Sequence, residues 1–117
     1  MSEQADFGQL AEDLSPEDLR TVLAVFAGDV KRLVGNLSEA AAAGDVVGYK
    51  RVAHGLAGAA GAVGAKALER ACRAAMVKHD LTAAQLPAAA RATAALADAA
   101  LVALAAFIGR LDAASPG

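Results

Sequence analysis

Apolar residues recur at intervals of three and four from Leu19 to Ala40, through Val22, Leu23, Phe26, Val30, Leu33 and Leu37, which is the period of one helix face. Ser15-Pro16-Glu17-Asp18 stands just ahead of that run and reads as its start. It offers a hydroxyl N-cap, a proline at the first helical position and then acids favoured by the positive end of the helix dipole. Gly44 closes this helix, and Asp45 can cap the next, whose apolar stripe is Tyr49, Val52, Leu56, Ala59 and Val63. Gly64 offers a turn into a further helix from about Ala65 to His79, with Leu68, Cys72, Ala75 and Met76 inside and Lys66, Arg70, Arg73 and Val77 outside. The last long helix carries Thr93, Ala97, Leu101, Leu104, Ile108 and Leu111 on its inner face. Its start is blurred, because a capping box at Thr82-Ala83-Ala84-Gln85 leaves Pro87 just past the positions that proline tolerates. At the other end of the chain, Asp6 can cap a short helix holding Phe7, Leu10 and Leu14.

These elements predict an all-α fold. Four long helices with short connections fold most simply as an antiparallel up-down-up-down four-helix bundle, with the short N-terminal helix as a lid on one end. One domain over residues 6–113 is expected, with 1–5 disordered and 114–117 frayed.

Composition changes this picture in a few places. The chain has 117 residues, enough for a single core without staples, and much of its apolar content is alanine, which favours helices and lets them pack closely. A net charge of −2, three Phe, one Tyr and no Trp argue against nucleic-acid binding. Cys72 is the one cysteine, so no internal disulfide forms, and it reads as a small core residue; no Cys/His group has metal-ligand spacing. The acidic start Met1-Ser2-Glu3-Gln4-Ala5-Asp6 is unlike a signal peptide. The apolar run Ala94 to Ile108 is interrupted by Asp98 and falls short of the roughly 20 residues a bilayer needs, so no membrane contact is expected. A cytoplasmic protein follows, and the excess of arginine over lysine with abundant alanine suggests a bacterial source with a GC-rich genome.

The candidate chemistry lies in Ala53-His54-Gly55-Leu56-Ala57-Gly58-Ala59-Ala60-Gly61-Ala62-Val63-Gly64-Ala65. His54 is two residues from both Val52 and Leu56, which at about 100° per residue turns it away from the apolar stripe. Lys50 and Arg51 precede it on its face, and Ala57, Gly58 and Gly61 follow. Glycine inside a helix costs roughly 1 kcal/mol relative to alanine, and Gly55, Gly58 and Gly61 fall within two turns. Either a partner must bring its backbone close to the histidine, or helices pack tightly here.

His54-Gly55-Leu56-Ala57-Gly58 followed by Val63-Gly64 resembles the H-x-L-K-G motif, with its later apolar-Gly pair, of histidine-containing phosphotransfer (HPt) domains. The Ala43-Gly44-Asp45 break, Phe26, Leu68 and Cys72 also fall where that family has similar features, so the resemblance runs from about Leu14 to Leu111. It implies that His54 takes a phosphoryl group, through Nε2, from an aspartate of one receiver domain and gives it to an aspartate of another. Those receivers would belong to a hybrid histidine kinase or a response regulator. It also implies a composite site: the receiver supplies aspartate and Mg²⁺, and this chain needs no cofactor or metal of its own. The receiver would dock over Gly55, Ala57, Gly58 and Gly61, flanked by Arg70 and Arg73, although those arginines also suit a solvated face. The lysine that the family commonly has three residues after the histidine is Ala57 here; Lys50 and Arg51 can supply charge instead, or can be an ordinary polar face.

A neutral imidazole can attack phosphorus near neutral pH, and phosphoryl transfer depends mainly on in-line positioning and neutralised oxygens. Autophosphorylation from ATP is not expected, since no Gly-rich phosphate loop is present and no acidic residue and proline follow His54 as in a kinase dimerisation helix. His79 has no such context and reads as a cap on helix carbonyls. Two other readings compete: a non-catalytic adaptor that binds receivers without efficient transfer, favoured by Ala57, and a generic helical scaffold or dimerisation module. Lys50 and Arg51 argue against a permanent apolar interface, so a monomer is expected. With its own Met1 and no kinase or receiver segment, the chain reads as free-standing, although a piece of a hybrid kinase would look the same.

Overall fold

The computed structural model describes residues 7–114. They form five helices: α1 (Phe7–Asp13), α2 (Pro16–Ala42), α3 (Val46–Val63), α4 (Lys66–Val77) and α5 (Leu86–Ala114), with a 3-10 turn at Ala83–Gln85. The expected Asp6 cap, the disordered start and residues 115–117 of the frayed end lie outside the described residues.

The helix boundaries follow from side chains that satisfy exposed backbone groups. At the start of α2 the Ser15 hydroxyl accepts the Asp18 N–H at 3.1 Å, with Pro16 next to it. Gly44 turns the chain at φ +65°, and the Asp45 carboxylate accepts the Gly48 N–H at 2.9 Å to begin α3. Gly64, at φ +80°, ends α3 in the left-handed conformation that glycine adopts without a Cβ clash. The capping box at Thr82 and Gln85 forms as the sequence suggests, but it caps the 3-10 turn. Helix α5 therefore begins at Leu86, and Pro87 sits comfortably in its first turn.

Helix α2 packs against α3 and α5, and α4 against α3 and α5. Leu19, Leu23, Phe26, Val30 and Leu37 of α2 are buried as expected, while Val22 is 36% exposed. In α5 the buried face is Leu86, Ala90, Thr93, Ala97, Ala100 and Leu104; Leu101, Ile108 and Leu111 are only half-buried. The cause is length: α3 and α4 are shorter than α2 and α5, so the last turns of α5 have fewer neighbours. Helix α1 compensates there. Its Phe7 is 3% exposed, with the ring centroid 6.4 Å from Phe26 and 5.7 Å from Phe107. An Arg20–Asp112 ion pair at 2.7 Å ties α2 to α5 near this end.

The thiol of Cys72 is 1% exposed, and burial pushes its pKa up to about 11, opposed by the nearby Arg73 charge. The expectation drawn from the interrupted apolar run needs correcting. Residues Ala83–Ala113 are, by length and composition alone, long and apolar enough to cross a membrane, because alanines flank Asp98 on both sides and extend the run.

Candidate functional site

Helix α3 presents two unlike faces. Tyr49, Ala53, Leu56, Ala57, Ala60 and Val63 are buried, and His54 stands exposed on the other side. The buried face is rotated from the expected one, since Val52 and Ala59 are only half-buried whereas Ala53, Ala57 and Ala60 are fully covered. In a segment of alanines and glycines the apolar contrast is weak, so the phase of the stripe is set by which neighbours pack on it. Here α2 and α4 do so from both flanks. Ala57 is consequently 1% exposed and part of the core, which removes it from the expected docking surface.

The glycines separate into different roles. A Cβ on Gly58 would meet nothing within 4 Å, and one on Gly55 would only touch Leu33 at 3.8 Å. A Cβ on Gly61 would lie 2.8 Å from a carboxylate oxygen of Glu69, so that glycine admits α4 to close approach. Tight packing explains Gly61; it does not explain Gly58.

The flanking charges are mostly committed. Lys50 lies one turn before His54, and its ammonium donates to the Lys78 carbonyl at 2.7 Å, at the end of α4. Lys50 thus supplies the carbonyl cap expected of His79, which is exposed beyond the end of α4. Lys78 in turn pairs with Asp80 at 3.2 Å, and these two lysines, Lys78 foremost, hold the Asp80 carboxyl below its ordinary value. Arg51 is exposed, three residues before His54. Arg73 donates from Nε and Nη2 to one oxygen of Glu69, at 2.8 and 2.7 Å. Lys66, Glu69, Arg70 and Arg73 line a groove of about 360 Å³ along α4.

Glu69 and Val47, near this face, were not singled out from sequence, whereas Val77 was expected on the outside of its helix and is found there. Glu69 could have been noticed as the i,i+4 partner of Arg73, although its seat on Gly61 could not. Val47 and Val77 are each 69% exposed, and Val47 stands two turns before His54 on its face. Among the described residues no group of three or more His, Cys, Asp or Glu side chains could hold a metal ion.

No curated protein and no solved structure matches the chain. A family model does match, that of the Hpt domain, over residues 21–114. The matched span begins early in α2, takes in the exposed histidine of α3 and its glycines, and runs to the end of α5. Such domains act as phosphocarriers in histidine phosphorelays, and an exposed imidazole on a helix face cleared of bulk suits that role. The chain belongs to the Hpt domain family.

Proposed function

We propose that His54 is the phosphoryl-carrying residue, accepting the group from an aspartate of one receiver domain and passing it to an aspartate of another. The observation that carries this reading is Gly58. It sits one turn after an exposed histidine, costs the helix roughly 1 kcal/mol, and has open space where a Cβ would sit. A surface kept bare at that cost is suited to close approach by a partner that brings the aspartate and Mg²⁺. Gly55 and Gly58 form the bare floor of the docking face in this reading. Arg70 and Arg73 flank it, and the exposed valines Val47 and Val77 add apolar contact. Arg51 is the better placed of the two candidate cations on α3, since Lys50 is occupied at the end of α4.

The rest of the reading is a monomeric bacterial protein of the cytoplasm, one domain over residues 6–113, with α2 to α5 as an antiparallel up-down-up-down bundle. It has no autokinase activity. The second reading, a receiver-binding adaptor with impaired transfer, keeps one specific support: a small buried residue, Ala57, where the family commonly has lysine.

Phosphoramidate supplies a test without a partner. Its P–N bond breaks as a P–N bond to the imidazole forms, and ammonia leaves with the electron pair. NMR of the two imidazoles is expected to show a phosphoryl group on His54 and none on His79. An unmodified His54, under conditions where other Hpt domains react, would favour the adaptor. Gly58→Ala tests the docking face separately. Alanine should stabilise the helix by about 0.5–1 kcal/mol in thermal unfolding, yet slow transfer to a receiver while leaving phosphoramidate uptake intact. Equal or faster transfer by that variant would remove the argument from Gly58.

A further inference from the structure

We propose that Arg73 is a switchable cation for the phosphoryl group of His54, held off the histidine by Glu69 until that group arrives. The proposal rests on the phosphocarrier reading and adds to it the charge that Ala57 fails to provide.

Two ties fix how α4 lies beside α3. Glu69 is seated against Gly61, two turns after His54, and Lys50, one turn before it, reaches the carbonyl of Lys78. The helices therefore run in opposite directions, which sets His54 level with the turn of α4 between Arg73 and Val77. In the observed state the Arg73 guanidinium is drawn back along α4 to Glu69, a displacement of one turn, or about 6 Å. Neighbouring helix axes lie about 8–10 Å apart, so a change of rotamer suffices to swing this long side chain from Glu69 toward a group on His54.

The energetics favour that exchange only after phosphorylation. While the imidazole is bare, Arg73 gains more from the Glu69 carboxylate. The Glu69–Arg73 pair is partly exposed, with side chains 28% and 56% accessible, so it is weak and easily traded. A phosphoryl group brings close to two negative charges and three acceptor oxygens, to which a guanidinium can donate in a fork. In this register the other charges around His54 are Lys50 and Arg51 on α3 and Lys78 just past the end of α4, which is paired with Asp80 at 3.2 Å, while Arg70 and Lys66 lie further off along α4. Lys50 is occupied by a carbonyl, and Lys66 lies a further turn beyond Glu69. Gly61 completes the device: its missing Cβ lets Glu69 lie against α3 and hold the arginine one turn back from the level of the histidine.

The titration of the phosphoryl group is the readout, followed by ³¹P NMR on the whole chain after treatment with phosphoramidate. A cation paired with the group lowers its second pKa. Arg73→Ala is therefore expected to raise the midpoint by about half a unit or more, with Arg73→Lys restoring most of the shift. Glu69→Gln should lower the midpoint, and by less when Arg73 is already alanine. Both positions are on the helix surface, and unchanged far-UV circular dichroism checks that the fold persists. An Arg73→Ala midpoint that coincides with wild type, or a Glu69→Gln midpoint that rises, overturns the proposal while leaving His54 a carrier. A wild-type chain that takes no phosphoryl group overturns the carrier reading and this inference with it.

Discussion

Replacing His54 by glutamine is expected to abolish phosphoryl uptake, at least a hundredfold below wild type, while changing stability by no more than about 0.5 kcal/mol. The imidazole is exposed on α3 and makes no hydrogen bond or ion pair among the described residues, so the fold loses nothing when it goes. Glutamine is also a good helix former, so the local backbone does not suffer. The chemical loss is total because no neighbouring side chain can substitute as nucleophile: Lys50 and Arg51 are cations, and His79 stands beyond the end of α4. Uptake followed by ³¹P NMR, with urea unfolding on the same sample, separates the two effects. Uptake by the variant at the wild-type rate would move the carrier role to another residue.

Leu56→Ala is expected to do the reverse. Leu56 is two residues from His54 but on the opposite side of α3, and its side chain is fully buried. Truncating it leaves a cavity between packed helices and costs about 3 kcal/mol, in a fold whose total stability is on the order of 5–15 kcal/mol. Phosphoryl uptake per folded molecule should persist, since the imidazole and its open surroundings are untouched. Urea midpoints measure the loss. A cost under about 1 kcal/mol would mean that α3 is much more loosely packed than the burial of Leu56 implies.

These two variants stand back to back on one helix, and the contrast shows what sequence could and could not supply. The helix starts at Ser15 and Asp45, the stops at Gly44 and Gly64, and the exposure of His54 were all legible, because capping and left-handed glycine are local physics. The phase of the α3 stripe was not. Ala53, Ala57, Ala59 and Ala60 are nearly equal in hydrophobicity, and only the approach of α2 and α4 decides which are covered. Ala57 was misplaced for that reason. The role of Gly61 was hidden for a related one, since the carboxylate that occupies its missing Cβ comes from Glu69 on another helix. Similarly, Lys50 looked like a free charge beside the histidine until the chain folded and brought the Lys78 carbonyl to it.

The buried thiol of Cys72 gives the molecule a reporter of its own motion. Thiol reagents attack the thiolate, and at neutral pH this group is both protonated and shut away between helices. Alkylation must wait until α4 lifts from its neighbours, which makes the labelling rate a clock for opening of that helix. Helix α4 is the shortest of the four long helices, and its first turn has no side-chain cap, so opening is expected to start there. A partner that clasps α3 and α4 together should slow the clock, and the slowing can be read without a substrate or any knowledge of which partner it is.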